Sequence, residues 1–280
     1  MPEIITVMKW PLIACLLLPG ILVYLGLHIV RREVIFVDLA LAQVASLGAC
    51  VSLLLGHDAA DTQTYLWSFG FTLIGAAIFA LTRMRHHSRV PQEALIGIIY
   101  VVAAAAGILL LSRTAEGNEQ LRRTLIGDVL LVSPREVLKT FGIFAGIGAV
   151  HFIFRKKFLM ISFQPALAEA EGLAVRWWDF LFYSLFGLVV TSFVQIGGVL
   201  LVFSYLIVPA VCANLLVNRI AALLALGWAV ATGAGVVGLY AAYRFDLPTG
   251  AAIICMLGAT LLLSGLAAMV LKKKQVDPAR

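Results

Sequence analysis

Residues 180–218 run for 39 positions without a single Asp, Glu, Lys or Arg. In water such a stretch would be a large exposed apolar patch, whereas in the hydrocarbon core of a bilayer it is ordinary. As one straight helix it would measure about 58 Å at 1.5 Å per residue, nearly twice a core about 30 Å thick. Gly197 and Gly198 lie near its middle, where paired glycines favour a break, and Pro209 is a second helix-disturbing residue further on. The run therefore reads as two spans.

Seven further apolar stretches, 10–30, 34–56, 66–82, 94–112, 137–154, 220–243 and 247–271, are each long enough to cross or nearly cross a bilayer. The count is nine spans, or eight if one candidate lies in the interface. Only 13% of the residues are charged, about half the share in a soluble domain. The fold class is thus all-α, a polytopic integral membrane protein with one membrane domain over residues 1–280. The first stretch outlasts the roughly 7–15-residue apolar region of a signal peptide, and Glu3 sits where a basic segment belongs, so it reads as a permanent span. Cys15, Cys50, Cys212 and Cys255 occur singly in apolar stretches and read as small buried residues.

Basic residues set the expected orientation. Placing Arg31 and Arg32 inside makes the loops alternate so that 14 of the 21 Lys and Arg fall on the cytoplasmic side. The N-terminus is then outside and the C-terminus inside, in a cytoplasmic membrane. The sequence pI near 9.3 is a topology signal, with no nucleic-acid partner implied. Two loops exceed simple turns. The outer one, 113–135, reads as a short amphipathic helix in part. The inner one, 158–176, has Pro165, good helix formers over 166–171, and Gly172 as a C-cap. It is either a grip for a soluble partner or a connector on the lipid surface.

No G-x-x-x-x-G-K-[ST] occurs, so a P-loop for ATP is excluded, and no G-x-S-x-G or H-E-x-x-H is present. The chain reads as a transport component rather than an enzyme. Ionisable residues within spans are few: Asp38 lies about one turn into the second, and Asp179 begins the sixth. The deeper polar residues are uncharged, namely Gln43, Thr191, Ser192, Gln195, Ser204, Tyr205 and Asn214. Each suits an interhelical hydrogen bond. The cluster Thr191, Ser192 and Gln195, just before Gly197, is the better candidate for lining a path. His28, His57, His86, His87 and His151 fall near span ends or in loops, with His57 and Asp58 at the outer mouth.

The block ALAEAEGLAVRWWDFLFYSLFGLVVTSFVQIGGVLLVFSYLIVPAVCANLL, residues 166–216, resembles the permease family of bacterial ABC importers for zinc, manganese and iron. Its elements are A-x-x-x-G-L at 168–173, the run from Gly198 to Val202, and L-I-x-P-A-x-x-A at 206–213. EALIGIIYV at 93–101, GDVLLVSP at 127–134 and DLPTGAAIIC at 246–255 extend the likeness over nearly the whole chain. The resemblance implies a pore made with a second permease copy and a transported metal ion rather than a resident cofactor. Two cytoplasmic ATPase subunits would use ATP, gripping the permease through Pro165, Ala168, Glu169, Glu171, Gly172 and Leu173. An extracytoplasmic binding protein would deliver the cargo.

One departure bears on the cargo path. The family's G-D-x-L-x-H-A at the second span places an acid and a histidine at i and i+4. Aligned on Gly48, this chain has Leu39 at the acid's place and Gln43 at the histidine's. Asp38 lies five residues before Gln43, about 140° round the helix, so it does not restore the pair. An amide oxygen is a poorer zinc ligand than imidazole. Asp38 and Gln43 remain the path candidates there. An ABC permease for a chelated metal or other small solute, and a self-powered carrier or channel, are the alternative readings.

Overall fold

A helix apolar around its whole circumference can lie only among other helices and lipid. The computed structural model describes residues 2–58, 61–83, 91–112, 127 and 129–276. The helices are α1 (Pro2–Leu17), α2 (Pro19–Arg32), α3 (Val37–Leu54), α4 (Thr62–Leu81), α5 (Gln92–Leu111), α6 (Pro134–Ile153), α7 (Arg155–Phe163), α8 (Pro165–Ala170), α9 (Val175–Leu216), α10 (Ile220–Phe245) and α11 (Thr249–Val276). A 3-10 turn at Val129–Leu131 precedes α6, and no strand occurs among the described residues. Proline at the first turn of α2, α6 and α8 uses its missing N–H where no partner exists. Ser133 and Glu136 close a capping box at the start of α6, each side chain accepting from the other's backbone N–H at 3.2 and 2.8 Å.

Eight segments are long and apolar enough to cross a membrane, with α1 and α2 sharing one, Met8–Arg32. The longest, α9, crosses twice. Gly198 within it has φ 72° and ψ 165°, a conformation far from helical. Arg32 bonds Asp179 near the start of α9, and Arg31 bonds Asn214 near its end, at 2.7 and 3.1 Å. In a straight helix those two partners would stand about 52 Å apart, beyond the reach of adjacent arginines. The rings of Phe193 and Tyr205 also meet across the turn at 6.1 Å. The halves, 175–197 and 199–216, measure about 34 and 27 Å, each a membrane crossing. The described residues therefore make nine crossings.

Pro209 does not break α9, which continues to Leu216. Proline removes one backbone bond, and a fully packed site between helices tolerates that loss. Its carbonyl lies against Gly227 of α10. Gly197 likewise stays helical, leaving the reversal to Gly198 alone.

The turn defines one end of the bundle. Gly127 sits so close to the backbone of Gly197 and Gly198 that a Cβ there would collide with it. The first turn of α4, reaching α9 through Tyr65 and Ser192, belongs to the same end. The opposite end carries Arg31, Arg32, Arg83, Asp179 and α7–α8. Between the ends, Leu22, Leu25, Phe79, Phe186 and Leu206 are fully buried. Gly26 allows α2 to lie directly on the carbonyl of Leu206, the close approach that small residues permit between membrane helices. Leu109 and Leu262, 70% and 72% exposed, face outward as lipid-facing residues do. Most of the outer loop 113–135, with His86, His87, Arg85 and Arg89, lies outside the described residues.

Candidate functional site

The inner loop is two helices rather than one. Past α6, Phe158, Ile161 and Ser162 are buried at i, i+3 and i+4, which seats α7 against the bundle. That spacing was present in the sequence, but the basic start of the segment disguised it as loop. Helix α8 follows after Gln164 and closes with a Schellman motif. Leu173 N–H donates to Ala168 O at 3.1 Å and Gly172 N–H to Glu169 O at 3.0 Å. Gly172 takes φ +69° there. Ala168 is fully buried and anchors the helix, while Pro165, Glu169, Glu171 and Gly172 are exposed and Leu173 is half-buried. The result is a small, fixed, acidic knob on the basic end of the protein. Beneath it, Trp178 packs on Phe154 and Phe158 with ring centroids at 5.3 and 5.6 Å, and Lys157 lies 4.5 Å over its ring.

Behind the knob lies a buried polar cluster that sequence reasoning missed. Asp179 is fully buried and holds two arginines, Arg32 at 2.7 Å through one oxygen and Arg83 through the other. Arg32 Nε also donates to Ser162 Oγ at 2.8 Å, and its guanidinium lies 3.9 Å over the Phe182 ring. His28 Nδ1 is 2.8 Å from the same Ser162 oxygen. Arginine only donates, so Ser162 accepts from Arg32, and the same hydroxyl oxygen also pairs with His28 Nδ1. His151 stacks on Phe158 at 4.3 Å and reaches Tyr24 Oη at 3.3 Å. The two histidines are thus deep core residues. Their only sequence signal was a polar residue inside an apolar run.

The path candidates do not converge. Thr191 and Ser192 face α4: Thr72 gives its hydrogen to Ser68 O at 2.8 Å, so Thr191 donates to Thr72 across 3.3 Å, and Ser192 meets Tyr65 Oη at 3.4 Å. Gln195 points elsewhere and is exposed, one turn before Gly198. Asp38 is buried in the first turn of α3, near the opposite end. Both its carboxylate oxygens lack a hydrogen-bond partner. Glu93 of α5 accepts from the backbone N–H of Phe36, the N-cap of α3, at 3.0 Å, the bond that a Glu three residues into the helix makes in a capping box. Gln43 is buried within the chain, at 7% exposure. His57 turns back onto the end of α3, 3.3 Å from Ser52 Oγ. Among the described residues no three His, Cys, Asp or Glu side chains are grouped to hold a metal ion.

Residues 4–268 match the ABC 3 transport family, taking in α8, the first eight crossings and most of the ninth. The chain belongs to this family. It is 34% identical over 197 residues to the manganese transport system membrane protein MntC of Listeria innocua, covering 68% of this chain and 70% of that protein. It is 28% identical over 229 residues to the manganese import system permease protein ScaB of Streptococcus gordonii, covering 82% and 80%. Among solved structures, PsaBC from Streptococcus pneumoniae in complex with Fab superposes with a TM-score of 0.77 at 28% identity, over 92% of this chain and 90% of that one. Family membership makes this chain a multi-pass membrane subunit of an ABC transporter.

Proposed function

We propose that the chain is the permease of an ATP-driven importer of a divalent transition metal, manganese first, in a bacterial cytoplasmic membrane. The observation that carries the reading is α8: a short, capped, solvent-facing helix at the basic end, anchored by Ala168 and displaying Glu169 and Glu171. A chain with no P-loop needs a separate ATPase, and this is the feature such a subunit would grip. Residues 1–280 form one permease domain, with its N-terminus outside and α8 in the cytoplasm. A second copy completes the pore, and an external binding protein loads it. The manganese named for the relatives supports this choice, and manganese suits a path offering oxygen ligands such as Asp38, Gln43 and Gln195. Because Gln195 is exposed on a single chain and Gln43 is not, a pore shared by two copies would meet Gln195 first. Co-purification with the cognate ATP-binding-cassette subunit tests the coupling claim. Wild type should retain that subunit, and reversing both Glu169 and Glu171 to Lys should release it. Equal recovery from both proteins would place the contact elsewhere.

A further inference from the structure

We infer that Arg32 is a positioning residue that binds the two feet of the coupling loop together and carries movement of α8 into the first, third and sixth spans. The inference rests on the permease reading. Ser162 ends the descent into the loop and Asp179 begins the ascent from it, and one guanidinium bonds both, at 2.8 and 2.7 Å. The sixteen residues between them are therefore closed into a ring at their base. Arg32 is also the last residue of α2, and its aspartate partner is shared with Arg83 just beyond α4.

A displacement of α8 thus has a short, buried route into three spans. Without that tie, a loop of mostly exposed residues would be free to yield locally. The geometry needs arginine: its planar fork offers Nε and Nη1 in fixed directions while its face rests on Phe182. Lysine would keep the charge and lose one of the two bonds. His28 adds a second hold on Ser162 from the turn above Arg32. A merely structural clamp would lower the yield of folded protein. A transmission clamp changes how many ions move per ATP spent, and the two are separable.

The test uses the complete transporter, permease with its ATPase and binding protein, in liposomes supplied with radiolabelled Mn²⁺ and ATP. Two variants, Arg32→Lys and Ser162→Ala, are compared with wild type for ATP hydrolysis and uptake in the same vesicles. Hydrolysis should stay within about twofold, while ions imported per ATP fall about tenfold for either variant, the scale of losing one charge-assisted hydrogen bond. Should Arg32→Lys fail to assemble, Ser162→Ala decides alone, since it removes one hydroxyl and no charge. An unchanged ratio in assembled variants, with wild type importing normally, overturns the role of Arg32 and leaves the permease reading standing. Absence of ATP-driven uptake in the wild type overturns both.

Discussion

Substituting the two adjacent glycines of the α9 reversal one at a time should give opposite results. Gly198 holds φ 72° and ψ 165°. That region is essentially closed to residues with a Cβ and costs about 1–3 kcal/mol to occupy. Gly197 is helical, and a Cβ there would stand 3.0 Å from Leu201 Cδ2 and 3.4 Å from Phe193 Cζ, both side-chain ends able to shift. Alanine also improves a helix interior by about 0.5–1 kcal/mol over glycine, which offsets the crowding. Gly197→Ala should therefore stay within about 1 kcal/mol of wild type, while Gly198→Ala loses the full strain. At about 2–4 °C per kcal/mol for a chain of this order of size, Gly198→Ala should lower the midpoint of thermal unfolding in detergent by about 2–12 °C. A scan of both variants and wild type under one set of conditions decides it. If Gly197→Ala is the more damaging, the chain does not reverse at Gly198.

Three further outcomes follow from other parts of the structure. In a protein stripped of its native cysteines, Asp61→Cys should react with an impermeant thiol reagent applied outside and Glu171→Cys only after permeabilisation; the reverse pattern refutes the orientation. Thr72→Val and Thr191→Val, taken singly and together, should reveal a coupling of about 0.6 kcal/mol, the usual worth of one hydrogen bond between membrane helices, whereas strict additivity would show that the 3.3 Å contact contributes nothing. Gln195→Ala should slow manganese uptake more than Gln43→Ala, and the opposite ranking would mean that the path lies inside a single chain.

Features set by neighbouring residues were legible in the sequence. Apolar runs announced the spans, the uncharged stretch around Gly197 and Gly198 announced a pair of helices, and Gly172 marked the end of α8 because a C-cap is a local conformational demand. Pro209 misled, since the cost of a proline depends on what surrounds it and here the surroundings are other helices. The Arg32 cluster was invisible because its bonds join residues 130 and 147 positions apart, and no periodicity encodes such a pairing. Each member was instead read by its own position: Asp179 as the start of a span, Arg32 as a topology signal, His28 and His151 as span-end residues. The path residues were chosen as polar groups at depth, a criterion that cannot separate Thr191, turned to a neighbouring helix, from Gln195, turned outward.

The proposed importer moves manganese inward only when a separate ATPase drives it. Radiolabelled Mn²⁺ accumulation in liposomes, measured with the permease alone and with its ATPase and binding protein added, tests it most directly. Uptake against a gradient should require all three proteins and hydrolysable ATP, and excess unlabelled Mn²⁺ should suppress it. Accumulation by the permease alone under a proton gradient, with ATP making no difference, would establish a self-powered carrier instead.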